Sequence, residues 1–286
     1  QYRVGRRVRT MRFISIKGGE INTKKRNYRA GRGSDCQGKL SIVGIGPGDL
    51  SHLSQRAKEA IAGSEVIVGY TTYINLLGNL TAGKKVISSG MTEEVYRAAQ
   101  AIEQALEGKN VCIISSGDPG IYGMSGIALE LLKSNNAKRI KIEIIPGITA
   151  ASACASLLGA PLTQDFAVIS LSDLLVERKG IEKRLRLALK ADFTIVLYNP
   201  KSRVRIKPLE RAWGIIKQYR RPKTPGGIVK NAYRKDEEVK VTILKDAPSL
   251  KDIDMTTTII IGNSRTFIKN SYMITPRGYN LEKLKS

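Results

Sequence analysis

The sequence predicts an α/β protein with two successive α/β units, preceded by an extension that does not fold. Short apolar runs alternate with stretches of helical period from Lys39 onward, which is the pattern of strand–helix–strand units. A chain of 286 residues with 42% hydrophobic side chains provides for one large core or two modest ones. Several predicted strands end in glycine-rich loops, and open α/β sheets bind ligands at the carboxyl ends of their strands.

Residues 1–38 are expected to be a disordered basic extension. They hold eleven Lys and Arg side chains against Glu20 and Asp35, so they contribute +9 to the net charge of +23. The segment is rich in Arg, Lys, Gly and Asn and shows no sustained apolar period, so burial does not offset the entropy lost on ordering. Three interpretations remain open: a nucleic-acid-binding arm, a tail without function, or translated upstream sequence with Met11 as an internal start.

The first α/β unit is expected over residues 39–160. Its strands are runs rich in Val and Ile, and its helices carry apolar residues three or four positions apart. The predicted strands are 40–45, 65–68, 85–88, 111–115 and 141–145. The predicted helices are 51–62, 92–106, 125–134 and 149–158, with Thr92 as the N-cap of the second. Such alternation predicts a largely parallel sheet covered on both faces.

The second α/β unit is expected over residues 161–286. It follows a linker at 159–165, where Gly, Pro and polar residues interrupt the apolar pattern. The predicted strands are 167–171, 194–198, 227–230, 239–244 and 257–261, and the predicted helices are 177–189 and 208–219. Pro208 stands in the first turn of the last helix, where its missing N–H is harmless.

Three glycine-rich loops follow predicted strands of the first unit. They read GIGPGD at 44–49, SSGDPGIYG at 115–123 and PGITAA at 146–151. Glycine lets the backbone approach a ligand closely and adopt positive φ. The first loop lacks the third glycine of the dinucleotide fingerprint, and its proline removes an N–H donor, so it does not predict a phosphate site.

Together with segments of the second unit, these loops resemble the tetrapyrrole methylase family. The likeness runs from about Lys39 to Phe267 and rests on motifs that occur in the same order. The motifs are GDPGIYGM at 117–124, PGITAASACASLLGAPLTQDFAVISLSDLL at 146–175, YNPKSR at 198–203 and TTTIIIGNS at 256–264. The resemblance implies two α/β domains with a cleft between them, a homodimer, and S-adenosylmethionine held in the cleft. It also implies methylation of C17 of precorrin-3B or cobalt-factor III, with contraction of the macrocycle, in the synthesis of cobalamin.

The resemblance also assigns site residues, position by position. The cofactor contacts that it implies are Pro47, Ser116, Gly117, Asp118, Ile121, Thr149, Ala150, Asn199 and Ala232. Asp49 and Tyr122 are expected to face the tetrapyrrole, and Asp49 or Asp118 is the candidate for proton transfer during ring contraction. The substrate's carboxylates are expected to pair with cations, for which Lys201, Arg203, Arg205 and Lys230 are the choices. The segment with Gly227, Lys230 and Tyr233 departs from the family's commoner form, TPVGIVRNAGR.

No metal site is predicted, and a cytoplasmic protein is expected. Cys36, Cys112 and Cys154 lie far apart, and His52 is the only histidine, so ligands are too few for zinc or an iron–sulfur cluster. His52 lies close to Asp49, which permits an acid–base role, although a residue near a helix start is more commonly just solvated. The apolar stretches are too short to cross about 30 Å of hydrocarbon, and an apolar signal region is missing.

Three other functions compete with this interpretation. RNA ribose methyltransferases share the superfamily and would use the basic surface, and diphthine synthase would methylate a protein side chain. The GIGPGD turn and the YNPKSR segment resemble the corrin branch rather than the RNA methyltransferases, and the motifs in the middle of the chain disfavour diphthine synthase. An RNA-binding module without catalysis needs aromatic stacking platforms, but Trp213 is the only tryptophan and no aromatic–basic cluster occurs, so nucleic acid is not an expected partner.

Overall fold

A computed structural model describes residues 9–17, 20–28, 37–202, 205–247 and 252–280 of the chain. Strand β1, Arg9–Lys17, pairs in antiparallel fashion with β2, Glu20–Tyr28. The disordered basic extension expected over 1–38 stays a prediction. The two strands contain Thr, Ile, Phe and Tyr, which are residue types that favour strands.

The first sheet is fully parallel, as the sequence predicts. Its strands are β3, Gly38–Gly44; β4, Val66–Tyr70; β5, Lys85–Ser89; β6, Asn110–Ser115; and β7, Ile140–Ile145. Their order across the sheet is β5-β4-β6-β3-β7. The central strands β3, β4 and β6 are buried almost throughout, because helices cover both faces of the sheet.

Six α-helices lie in the first half of the chain within the described residues, and the last of them packs against the second sheet. They are α1, Gln55–Ala62; α2, Thr71–Leu76; α3, Glu94–Leu106; α4, Met124–Leu131; α5, Ser134–Ala137; and α6, Ala150–Leu158. Two predictions about helix starts are wrong. Helix α1 begins after Ser54, whose hydroxyl accepts from Ala57 N–H at 3.1 Å, rather than at Ser51. Thr92 has a φ of 68° and lies outside α3, whose N-cap is Glu93.

The second sheet mixes both strand directions. Its strands are β9, Phe166–Ser170; β10, Thr194–Tyr198; β11, Pro225–Lys230; β12, Glu238–Ile243; and β13, Thr257–Ile261. The order is β12-β11-β13-β10-β9, in which only β9 and β10 are parallel. Helices α7, Arg178–Lys190, and α8, Lys207–Tyr219, pack with this sheet around one apolar core.

A third, small sheet includes part of the predicted linker. Strand β8, Gly159–Ala160, pairs with β15, Tyr272–Ile274, which also pairs with β14, Phe267–Lys269. The Thr163 hydroxyl donates to the carbonyl of Thr275 and ties the linker down further. The domain limits at 160 and 161 remain a prediction.

Across the residues that the structure describes, no helix combines the length and the apolar character that a membrane span requires.

Three glycines bring the carboxyl ends of β3, β6 and β7 unusually close together. A Cβ atom on Gly147 would lie 2.2 Å from the carbonyl oxygen of Gly117 and 2.7 Å from the carbonyl carbon of Gly44. A Cβ on Gly44 would meet the Gly117 oxygen at 2.6 Å and the Gly147 nitrogen at 2.7 Å. Backbone rather than flexible side chain occupies this space, so a larger residue forces the three strand ends apart.

Gly147→Ala is expected to lower the free energy of unfolding by about 1–3 kcal/mol, the usual cost of inserting atoms into a packed region. Urea denaturation monitored by circular dichroism measures this change. Gly214→Ala is the matched control, because Gly214 lies within α8 with nothing near its Cβ position. Alanine there is expected to raise stability by up to about 1 kcal/mol. Equal stability of the two variants would contradict the packing argument.

Candidate functional site

The loops that follow β3 and β6 are joined by an antiparallel bridge. Gly46 N–H donates to the Gly117 carbonyl at 3.1 Å, and Gly117 N–H donates to the Gly46 carbonyl at 2.8 Å. Their φ angles are 72° and 63°, values that glycine adopts without steric strain. The bridge fixes the GIGPGD loop beside the loop that contains Ser116 and Asp118.

The Asp118 carboxylate organises two of the loops. Its Oδ1 accepts from Gly120 N–H at 2.8 Å within its own loop, and its Oδ2 accepts from Gly147 N–H at 3.1 Å in the loop after β7. Both carboxylate oxygens thus accept hydrogen bonds from backbone donors on different loops. The structure thus gives Asp118 a clear role in holding the loops together.

Tyr198 connects the second sheet to the start of α6. Its hydroxyl accepts from Ala151 N–H at 2.5 Å and shares a hydrogen bond with the Thr149 hydroxyl at 2.6 Å. Burial raises the pKa of Tyr198 above its ordinary value, so the phenol stays neutral. Tyr198 opens the YNPKSR motif, but nothing in the sequence predicts this role for it. Thr149 is placed at the N-cap position of α6, as its sequence position suggests.

Tyr122 joins the two sheets, and Asn199 connects two neighbouring strand ends of the second sheet. The Tyr122 hydroxyl donates to the Val168 carbonyl at 3.1 Å and accepts from Ser170 N–H at 3.2 Å, at the end of β9. Asn199 Nδ2 donates to the Ser170 hydroxyl at 3.0 Å. Both residues have left-handed backbones, with φ of 52° for Tyr122 and 50° for Asn199. The tyrosine side chain is 60% exposed, so its ring stays available although its hydroxyl is engaged.

Arg234 provides a further connection between the sheets. Its Nε donates to the Pro47 carbonyl at 2.5 Å, and its Nη2 donates to the Ser116 hydroxyl at 3.2 Å. Pro47 and Ser116 are two of the cofactor contacts expected from the sequence, while Arg234 was missed. The only signal for it was its place at the end of the TPGGIVKNAYR segment.

A cavity of about 580 Å³ lies beside Asp49. Its lining combines the end of the GIGPGD loop with the segment after β11: Gly48, Asp49, Ser51, His52, Leu76, Tyr233, Arg234, Lys235 and Glu237. Hydrogen bonds from Ser51 lower the pKa of Asp49, so this exposed carboxyl is ionised at neutral pH. The His52 ring lies 4.1 Å from the Tyr233 ring, centroid to centroid, and its Nδ1 is 3.2 Å from the Ser51 hydroxyl.

The remaining expected site residues have different placements. Ala150 and Ala232 pack against the apolar cluster that contains Tyr198, so both alanines lie near the contact between Tyr198 and the start of α6. Ile121 is 39% exposed on the loop after β6. Lys201 is half-buried just after Asn199, and Arg203 lies outside the described residues.

Two cations expected to pair with substrate carboxylates already have partners within the chain. Lys230 Nζ lies 3.3 Å from Asp254 Oδ2 and 3.8 Å from Glu238 Oε1. Arg205 donates to the carbonyls of Leu171 at 2.8 Å and Asn199 at 3.3 Å. Neither charge is therefore free to pair with a substrate without giving up these contacts.

The loops after β3, β6 and β7 meet Tyr198 and Arg234 of the second unit, and we call this region the junction. The junction suits a nucleoside-type cofactor better than a metal ion. Ser116, Thr149 and Asn199 place polar side chains at the strand ends. Ile121 and Ile148, which are 39% and 38% exposed, offer the apolar surface that a purine ring covers. Within the described part of the chain, no group of three or more His, Cys, Asp or Glu side chains is arranged to hold a metal.

Comparison with known proteins agrees with this geometry. Residues 39–248 match the family model of tetrapyrrole (corrin/porphyrin) methylases. The chain is 50% identical over 246 residues to a cobalt-factor III methyltransferase of Priestia megaterium, a match of 85% of this chain and 45% of that protein. It therefore spans less than half the length of that relative.

Two further relatives match over nearly their whole length. A probable cobalt-factor III C(17)-methyltransferase of Salmonella typhimurium is 48% identical over 242 residues, covering 85% of this chain and 100% of that one. A precorrin-3B C(17)-methyltransferase of a Sinorhizobium species is 36% identical over 249 residues, covering 85% and 97%.

The fold is similar to the crystal structure of the methyltransferase CobJ. The TM-score is 0.79 with 33% sequence identity, over 84% of this chain and 100% of CobJ. The family match covers the strands from β3 to β12 and the loops after β3, β6, β7, β10 and β11. The chain therefore belongs to the tetrapyrrole (corrin/porphyrin) methylases.

Proposed function

We propose that this protein transfers a methyl group from S-adenosylmethionine to C17 of cobalt-factor III, with contraction of the macrocycle, in the synthesis of cobalamin. The observation that carries the proposal is the 48% identity to the Salmonella C(17)-methyltransferase over that protein's full length. The matched region includes the three glycine loops and the segment of the second unit that meets them.

The similarity to relatives favours the cobalt-containing substrate over precorrin-3B. The Priestia and Salmonella proteins, whose names specify cobalt-factor III, are 50% and 48% identical to this chain. The Sinorhizobium protein, named for precorrin-3B, is 36% identical. We therefore choose cobalt-factor III as the substrate and treat precorrin-3B as the second candidate.

The chemistry requires alignment more than it requires acid–base groups. S-adenosylmethionine supplies a methyl group already activated on a sulfonium, and an electron-rich tetrapyrrole carbon attacks it, so positioning the two provides much of the rate. The loops containing Ser116, Gly117 and Thr149 bind the donor, and Tyr122 contacts the macrocycle with its exposed ring. Asp118 keeps the loops in place through its two backbone hydrogen bonds.

Ring contraction involves proton transfer, for which Asp49 is the better of the two aspartates. Hydrogen bonds from Ser51 lower its pKa, so at neutral pH it is a carboxylate that can accept a proton but has none to donate. The open cavity beside it leaves room for part of the substrate. Both oxygens of Asp118, in contrast, already accept hydrogen bonds from the backbone.

The direct test is anaerobic incubation of the purified protein with S-adenosylmethionine and either cobalt-factor III or precorrin-3B. We expect cobalt-factor III to gain one methyl group by mass and to change its absorbance spectrum on contraction. Turnover of precorrin-3B alone would correct the choice of substrate. Parallel reactions with ribosomal RNA as the substrate test the competing function, RNA methylation. Methylation of RNA without methylation of either tetrapyrrole would overturn the proposal.

Asp118→Ala is expected to weaken binding of S-adenosylhomocysteine at least tenfold, or by about 1.4 kcal/mol, because Gly120 and Gly147 lose their acceptor. Isothermal titration calorimetry measures the Kd. Glu130→Ala, which removes an exposed carboxylate from the neighbouring helix α4, is the control and should leave the Kd unchanged. Equal Kd values for Asp118→Ala and the unmodified protein would exclude Asp118 from the cofactor site.

We also propose that the protein is a homodimer. Leu174, Leu175 and Val176 form a run whose residues are 67%, 99% and 45% exposed, and exposed apolar runs of this kind are typical of protein interfaces. A second copy of the chain would cover this run.

Light scattering after gel filtration is expected to give about twice the chain mass of 31.4 kDa. Leu175→Glu should shift the protein toward the monomer, because a carboxylate would be buried without a partner. Leu187→Glu is the control, since Leu187 is also exposed but lies alone on the basic helix α7. A dimer that survives Leu175→Glu would place the interface elsewhere.

A further inference from the structure

We propose that Arg234 is a positioning residue that holds the GIGPGD turn and Ser116 in the arrangement that binds the cofactor. The inference rests on the proposed use of S-adenosylmethionine. Arg234 belongs to the segment after β11 in the second sheet, whereas both residues that it contacts follow strands of the first sheet. The guanidinium therefore acts across the junction on which the cofactor site is built.

The contacts of Arg234 match the planar shape of a guanidinium. Nε donates to the Pro47 carbonyl at 2.5 Å, and Nη2 donates to the Ser116 hydroxyl at 3.2 Å. Two donors in fixed relative orientation set the spacing of Pro47 and Ser116, which lie on different loops. A lysine carries the same charge but has a single ammonium group and cannot reproduce this geometry.

The charge of Arg234 is not explained by an ion pair. No carboxylate of the described residues forms a salt bridge with it, and both of its hydrogen-bond acceptors are neutral. Burial lowers the pKa of Arg234, which is the expected effect of removing a cation from water without a counter-charge. Retaining a partly desolvated arginine against neutral acceptors costs free energy, so a role in shaping the loops accounts for it better than a role in stability.

The GIGPGD turn is shaped around the arginine. A Cβ on Gly48 would lie 2.5 Å from Arg234 Cγ and 2.7 Å from its Nε. The stem of the arginine thus occupies the space that any side chain at position 48 would need. This close packing is separate from the hydrogen bonds and points to the same function.

Neighbouring contacts hold the arginine's own segment in place. The Tyr233 hydroxyl is 2.8 Å from the Ser156 hydroxyl on α6, and Tyr233 N–H donates to Glu237 Oε2 at 2.6 Å. The Tyr233 ring also contacts His52, just beyond the turn. Arg234 therefore projects from a fixed support, as a positioning residue must.

The test compares Arg234→Ala and Arg234→Lys with the unmodified protein in calorimetric titrations with S-adenosylhomocysteine. We expect Arg234→Ala to raise the Kd at least tenfold and Arg234→Lys to recover only part of the loss. Arg221→Ala, which removes an exposed arginine of the same unit, should leave the Kd unchanged. Urea denaturation of each variant shows whether folding is intact. If Arg234→Ala does not fold, Arg234→Lys decides the question.

Chemical rescue separates positioning from general destabilisation. Millimolar guanidinium, far below denaturing concentrations, should restore part of the affinity of Arg234→Ala by occupying the vacated space, whereas a merely destabilised protein would bind no better. Unchanged affinity in a folded Arg234→Ala or Arg234→Lys variant, or no rescue, would overturn the role of Arg234. Failure of the unmodified protein to bind S-adenosylhomocysteine would overturn the proposed function, and this inference with it.

Discussion

The close approach of backbone at Gly44, Gly117 and Gly147 is the constraint on which the site depends. With no side chains between them, the ends of β3, β6 and β7 meet at distances that no other residue permits. Their loops then extend side by side from one edge of the sheet, where Asp118 can reach the loop after β7 with one carboxylate oxygen. The parallel sheet thus provides a rigid base. Because these three residues are glycines, the loops pack closely together and form a compact platform at the edge of the sheet.

The second sheet meets this platform through a few polar contacts and through α6, which follows β7 and packs against the second sheet. Tyr198 holds the start of α6, Tyr122 reaches the end of β9, and Arg234 holds the GIGPGD turn. Each uses a side-chain group of one sheet and, in most cases, a backbone group of the other. Small changes at these points would shift one sheet relative to the other and alter the shape of the cofactor site, even with both hydrophobic cores intact.

The sequence predicted what is encoded locally and missed what depends on distant partners. Alternating apolar runs located the ten strands of the two large sheets to within a few residues, because strand and helix periods are local properties. The mixed direction of the second sheet and the β14–β15 hairpin depend on pairing that periodicity does not reveal. The same holds for side chains: Tyr198 and Thr149 are 49 positions apart, and Arg234 and Pro47 are 187 apart. The glycine-rich loops and the family motifs predicted where the site lies. They did not predict that Tyr198 and Arg234 connect the loops of the two units.

The unusual segment after β11 shows how the fold accommodates departures from the commoner motif. Tyr233 stands where that motif has glycine, and its φ of 55° explains the glycine, since a left-handed backbone costs an ordinary residue about 1–2 kcal/mol. Here the tyrosine offsets the strain with contacts that glycine lacks, to the His52 ring and the Ser156 hydroxyl. Lys230, in place of arginine, retains its charge and pairs with Asp254. The departures therefore change what holds the segment in place, while Ala232 and Arg234 keep the positions that the junction requires.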